Sequence, residues 1–85
     1  MNRAKVTYGQ LNRAMSQLGV THRKYSEDPP TNLYEHPERG PIMTLPAFPE
    51  RNRVFVHHLA EARYLLDQFG IAEPAVFDAN LQKVG

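Results

Sequence analysis

The sequence predicts an α+β domain in which two helices cover one face of a three-stranded antiparallel sheet, in the order helix, strand, strand, strand, helix, with a further short helix at the C-terminal end. Three observations predict it: an apolar stripe at helical spacing before residue 19, three short strand-like segments between residues 20 and 45, and a second apolar stripe between residues 55 and 69. The length of 85 residues suits one small domain.

The first helix is expected from Tyr8 to Leu18. Thr7 and Gln10 have the spacing of a capping box, in which each side chain bonds a backbone amide at the helix start. Gly19 stands where a left-handed C-terminal cap is needed. The stripe between these signals consists of Leu11, Ala14, Met15 and Leu18.

Three strands are expected next, over residues 20–25, 31–36 and 41–45. Pro29 and Pro30 separate the first two strands because neither proline can donate to a strand ladder. Gly40 provides a turn residue before the third strand, and Pro46 ends it. Short connections of this kind predict an antiparallel meander whose second face is open to solvent or to a partner.

The second helix is expected to begin after Asn52 as its N-cap and to end at Gly70. Its apolar stripe consists of Phe55, Leu59, Ala62, Leu66 and Phe69. We therefore assign residues 1–71 to the domain and residues 72–85 to a C-terminal extension. Pro74 suits a first helical turn, so this extension is expected to be a short helix.

Composition excludes several classes of site. The chain has no cysteine, which excludes disulfides, cysteine-based zinc sites and thiol chemistry. It has no Gly-rich phosphate loop, and we expect no cofactor and no bound metal. His57 and His58 are adjacent on a predicted helix, where neighbouring side chains diverge by roughly 100°. Without a long apolar segment, the expected location is the cytoplasm.

The charge is uneven along the chain. The net charge is only +1, whereas dedicated nucleic-acid binders usually carry a larger basic excess. Residues 1–24 nevertheless contain five basic residues and no acidic one. This segment predicts a patch that contacts RNA phosphates; a solvated positive face is the other interpretation. The predicted RNA-binding residues are Arg13, His22, Arg23 and Lys24.

Histidine is the natural acid or base for any catalysis, because its pKa lies near neutrality. His36 and Tyr34 alternate along the second strand and are expected on one face, where the basic first strand could join them. They are the predicted catalytic residues.

The sequence resembles the HicA family of toxins over roughly residues 6–72. The resemblance rests on Leu18-Gly19, Leu33-Tyr34-Glu35-His36-Pro37, Thr44-Leu45-Pro46 and the helix end 65–71. It implies a fold like a double-stranded-RNA-binding domain, an endoribonuclease acting on messenger RNA, and a HicB-type antitoxin as protein partner.

One departure separates the chain from that family. HicA-like proteins carry Gly-Ser-His before the second strand, and that histidine is catalytic; here the matching stretch is residues 29–32, Pro-Pro-Thr-Asn. His36 does match the histidine of the family's Tyr-x-His-Pro stretch. Three functions stay open: an RNA-binding protein without cleavage, an endoribonuclease with a displaced histidine, and a protein-interaction module that uses its open sheet face or an edge strand.

Overall fold

The computed structural model describes residues 2–84, which form five strands and three helices. In chain order these are β1 Arg3–Thr7, α1 Tyr8–Gln17, β2 Thr21–Glu27, β3 Pro30–His36, β4 Gly40–Pro46, β5 Arg53–Phe55, α2 Val56–Gln68 and α3 Pro74–Val84. The α+β class and the antiparallel β2-β3-β4 sheet are confirmed. None of the helices in this part of the chain is both long and apolar enough to span a bilayer.

The start and end of α1 follow the predicted signals. The Thr7 hydroxyl accepts from the Gln10 amide, and the Gln10 side chain accepts from the Thr7 amide, so the capping box is present. Gly19 has a φ of +86°, a conformation that side chains with a Cβ rarely adopt. This glycine ends α1, and β2 begins two residues later at Thr21.

The predicted N-cap of the second helix is wrong. α2 begins at Val56, and its N-cap is Phe55, which makes no side-chain capping bond. Residues 53–55 instead form β5, which pairs antiparallel with β1. The capping signal at Asn52 failed because a strand pairing with residues about 50 positions earlier, Arg3 with Phe55, occupies the expected first turn.

The core lies between the helices and one face of the main sheet. Alternation along β3 and β4 directs Tyr34, Met43 and Leu45 toward the helices. The register shifts beside Tyr34, and the extra β4 residue, Ile42, also joins the core. The other sheet face carries an ion pair between Arg23 Nε and Glu35 Oε1 at 2.8 Å.

The third helix packs on the domain. Phe77 is fully buried and Leu81 nearly so, and both belong to the same core as the α1 residues Leu11 and Met15. The predicted C-terminal helix is confirmed, and it contributes one of the largest buried side chains of the protein.

Candidate functional site

A surface cleft of about 310 Å³ lies where the C-terminal half of α1 meets the beginning of β2. We call it the α1 cleft. Its lining residues are polar or charged apart from one valine, and they come from three segments: α1, the start of β2 and the loop before β5. The lining residues are Asn12, Arg13, Ser16, Val20, Thr21, His22 and Glu50.

Tyr34 is buried next to this cleft and contacts one of its lining residues, Asn12. Its ring is 2% exposed, and its hydroxyl donates to Asn12 Oδ1 at 2.7 Å. Burial raises the pKa of Tyr34 to about 12; the nearby Tyr8 and Glu50 act in the same direction, and the hydrogen bonds of Asn32 and Asn12 oppose it. A hydroxyl in this state keeps its proton at neutral pH. Tyr34 therefore positions Asn12 and does not supply a ready base.

His22 stands beside Tyr34, as the antiparallel register requires. The two residues are paired across β2 and β3, and their ring centroids are 5.3 Å apart. His22 is exposed on the cleft, whereas the tyrosine is buried beneath it. The structure thus brings the predicted RNA-binding residue His22 together with the predicted catalytic residue Tyr34.

The predicted basic residues occupy three different environments. Arg13 is exposed on the cleft, and none of the ion pairs among residues 2–84 involves it. Lys24 follows His22 on the same side of β2, but its Nζ lies 3.1 Å from Glu27 Oε1. Arg23 points to the opposite sheet face and pairs with Glu35. Only Arg13 of these three lines the cleft.

His36 lies apart from the cleft lining. Its Nδ1 accepts hydrogen bonds from the backbone amides of Glu38 at 3.1 Å and Arg39 at 3.3 Å. These bonds close the turn between β3 and β4, and the ring's Nε2 edge lies beside Gly19. The structure gives His36 a clear local role in this turn, and its catalytic role stays a prediction.

Glu50 is a cleft residue that the sequence did not reveal. Its carbonyl accepts from the Gly9 amide at 2.9 Å, which ties the loop to the first turn of α1. A Cβ at residue 9 would lie 3.2 Å from the Cβ of Glu50, so glycine permits this close approach. The only sequence signal was a glycine inside the first turn of a well-capped helix.

A second polar group surrounds the N-terminal end of α1 and consists of Arg3, Tyr8, Phe55, His57 and His58; we call it the histidine cluster. The Tyr8 hydroxyl lies 2.8 Å from His58 Nδ1, and the two histidine rings are 4.2 Å apart. The Arg3 guanidinium lies 3.6 Å from the centroid of the Phe55 ring. The sequence predicted divergent histidines here, and the fold places their rings in contact.

Neither group has the composition of a metal centre. Within residues 2–84, no three histidine, cysteine or acidic side chains lie close enough together to hold a metal ion. The histidine cluster consists of hydrogen-bond donors and aromatic rings, and the α1 cleft has one carboxylate, Glu50, among several N–H and O–H donors. This excess of donors suits an anionic ligand better than a cation.

Comparison with known proteins identifies no family, so the assignment of a function rests on the geometry of the site. No protein-family model, curated protein or solved structure matches this chain.

Proposed function

We propose that the chain is a HicA-like toxin–antitoxin protein that binds RNA, and that the α1 cleft contacts the RNA backbone. The observation that carries this proposal is that Arg13 and His22 line the same cleft. Asn12 lines it as well, and the Tyr34 hydroxyl holds the Asn12 side chain by a hydrogen bond. A guanidinium donates a pair of parallel N–H groups to a phosphate, and polar side chains beside it fix the strand's register.

The cleft also has groups that fit cleavage of a phosphodiester. An imidazole and a carboxylate, from His22 and Glu50, line it with the Arg13 guanidinium. In such an arrangement one group takes the proton of the 2′-hydroxyl as that oxygen bonds to phosphorus, and the other, which starts protonated, gives its proton to the 5′-oxygen as the bond from phosphorus to that oxygen breaks. The product is a 2′,3′-cyclic phosphate, and the arginine stabilises the phosphate charge during the step. His36 is the alternative catalytic histidine, since its Nε2 does not take part in the turn bonds.

Binding is tested by fluorescence anisotropy of a labelled single-stranded RNA of ten nucleotides, with a DNA of the same sequence alongside. Arg13→Gln should weaken RNA binding roughly tenfold, the loss expected for one charge-assisted hydrogen bond. Lys83→Gln is the matched control, because it removes one positive charge from the exposed end of α3. Equal losses from both variants would indicate unspecific charge attraction and contradict the proposal.

Cleavage is tested separately by induced expression, with growth and total RNA followed in parallel. His22→Asn and His36→Asn distinguish the two histidines: loss of RNA breakdown in only one of them identifies the acid–base residue. Intact RNA and normal growth with the unchanged protein would reduce the proposal to RNA binding without cleavage.

A second candidate function is protein interaction, and a groove between α2 and α3 favours it. This groove has a volume of about 310 Å³ and an apolar lining that includes Val56, Leu59 and Leu81. Val56 is 45% exposed, so its side chain is accessible at the edge of this groove. A HicB-type antitoxin is the proposed partner. Val56→Ser should reduce its co-purification and, because serine adds no charge beside His57, leave RNA binding unchanged.

A further inference from the structure

The histidine cluster is organised around one buried hydroxyl. Tyr8 is 2% exposed, and its Oη lies 2.8 Å from His58 Nδ1 and 3.3 Å from the backbone nitrogen of Phe55. An amide nitrogen can only donate, so Tyr8 Oη accepts from Phe55. His58 Nδ1 is the acceptor within reach of the hydroxyl hydrogen among the residues described.

Donation of the buried hydroxyl hydrogen to His58 Nδ1 is the arrangement that satisfies both groups. When Nδ1 accepts the tyrosine hydrogen, the neutral ring carries its own hydrogen on Nε2. Nδ1 of the ring then accepts a hydrogen bond, and Nε2 carries a hydrogen. His58 therefore offers an N–H donor and has no free nitrogen lone pair to bind a metal. A neutral ring in this state suits an anion.

Two further donors, Arg3 and His57, lie with His58 around the ring of Phe55. The Phe55 ring has the Arg3 guanidinium over it at 3.6 Å, the His57 ring stacked against it at 5.6 Å and the His58 ring edge-on at 5.7 Å. Arg3 uses Nη1 to donate to the Arg53 carbonyl at 2.7 Å, which holds the guanidinium in place and leaves its other N–H groups available.

The charges near this cluster are mostly positive. Arg3 and Arg53 come from β1 and β5, and the acidic residue that acts on His58 is Glu61, one turn further along α2. No hydrogen bond or ion pair among residues 2–84 joins a carboxylate to Arg3, His57 or His58. The donors of the cluster are therefore not satisfied by the protein's own acids.

We propose that Arg3, His57 and His58 form a second phosphate-binding site, separate from the α1 cleft, which binds a backbone phosphate of the same RNA strand. Arg3 supplies charge, and His58 supplies an oriented Nε2–H. Tyr8 is a positioning residue that acts through His58. The assignment to an RNA strand rests on the proposed function, whereas the chemistry of the site requires only a phosphate group.

The first experiment follows the side-chain nitrogen signals of the histidines by NMR during titration with inorganic phosphate. Sodium chloride at equal ionic strength is the control. The free protein should show His58 as the Nε2–H tautomer, and phosphate should shift the His58 Nε2 signal saturably. Tyr8→Phe should produce a mixture of tautomers. A free protein with the Nδ1–H tautomer would overturn the proposal.

The second experiment measures affinity for the ten-nucleotide RNA. Arg3→Gln should weaken binding roughly tenfold and reduce the salt dependence of log K by about 0.7, the value for one lost phosphate contact on a single strand. His58→Leu should also weaken binding, and His58→Gln, which keeps an N–H donor, should recover part of the loss. Lys83→Gln should change neither quantity beyond a small general effect.

The outcomes separate this site from the proposed function. If the unchanged protein binds no RNA, the proposed function fails, and the phosphate titration decides the site alone. RNA binding that Arg13→Gln weakens but Arg3→Gln and His58→Leu do not would overturn the RNA assignment; a saturable phosphate shift would then identify free phosphate as the ligand. The absence of both effects would overturn the site entirely.

Discussion

Two tyrosines buried to the same extent support the two polar groups of this protein in different ways. Tyr8 and Tyr34 are each 2% exposed, and both belong to the core. The Tyr8 hydroxyl lies between a backbone amide and an imidazole, whereas the Tyr34 hydroxyl donates to the side-chain amide of Asn12. Each ring anchors its group in the core, and each hydroxyl orients one partly exposed residue.

The difference lies in what the hydroxyl controls. At the histidine cluster it bonds Nδ1 of an imidazole, His58, and favours the tautomer with hydrogen on Nε2. At the α1 cleft it fixes an amide, and the titratable residue His22 stays exposed beside it without a hydrogen bond among the residues described. The first arrangement orients the imidazole of His58, and the second leaves the imidazole of His22 exposed to a ligand in the cleft.

The largest expected effect comes from removing either ring, and it should be nearly equal for both. Tyr8→Ala and Tyr34→Ala should each lower the free energy of unfolding by about 4 kcal/mol, because each leaves a cavity in a packed core. Urea denaturation measures both. If the variants are largely unfolded, Tyr8→Leu and Tyr34→Leu supply the same comparison at smaller cost. A difference above about 2 kcal/mol would show that the two rings are not equivalent supports.

Removing only the Tyr8 hydroxyl should give the next largest effect. Tyr8→Phe should cost about 2 kcal/mol, because the half-buried amide of Phe55 loses its acceptor and His58 Nδ1 loses its donor. Thermal unfolding at pH 7.5 measures the loss. An unchanged midpoint would contradict the hydrogen-bond pattern on which the tautomer of His58 depends.

The Tyr34 hydroxyl should contribute less. Tyr34→Phe should cost about 1 kcal/mol, since half-buried Asn12 at the edge of an open cleft can bond water instead. The same unfolding measurement compares the two phenylalanine variants directly. A larger loss from Tyr34→Phe than from Tyr8→Phe would reverse the comparison.

The smallest effect concerns pH. Burial lowers the pKa of His58 below its ordinary value of 6.5; the positive charges of His57 and Arg3 act in the same direction, and Glu61 opposes them. The unfolded chain therefore binds more protons than the folded one at pH values just below 6.5, and stability should fall as the pH drops from above 6.5 toward the lowered pKa.

His58→Gln tests this pH dependence. Its unfolding free energy should decrease less between pH 7.5 and 5.5 than that of the unchanged protein, because this one source of proton uptake is gone. Equal decreases would mean that His58 does not contribute to the acid sensitivity. His22→Gln is the matched control at the exposed cleft.

The local elements of this fold are readable from the sequence because their signals lie within a few residues. The Thr7–Gln10 capping box and the positive φ of Gly19 and Gly70 lie where the pattern predicts. The placement of Pro30 and Pro46 outside the strands was wrong, because the end residues of β3 and β4 pair without needing an N–H donor from proline. The pairing of β1 with β5 was missed because it joins residues about 50 positions apart, and neither three- to five-residue strand carries a strong signal alone.

The site was partly predictable for the same reason. Strand alternation correctly puts His22 and Tyr34 on one face once the register is known, and it puts Arg23 on the other. Glu50 and Asn12 could not be found, since their places depend on the close approach of a loop to Gly9 and on the rotation of α1 against the sheet. Tertiary packing, and not composition, creates both polar groups.

The most direct test of the central claim is an NMR titration of the backbone amides with the ten-nucleotide RNA. Binding at the α1 cleft predicts that the largest shifts occur in residues 12–16, 20–24 and 50, with Arg13 among the most affected and a second set around His57 and His58. Shifts confined to the groove between α2 and α3 would contradict RNA binding at the α1 cleft, and no saturable shift at all would contradict an RNA-binding role for this protein.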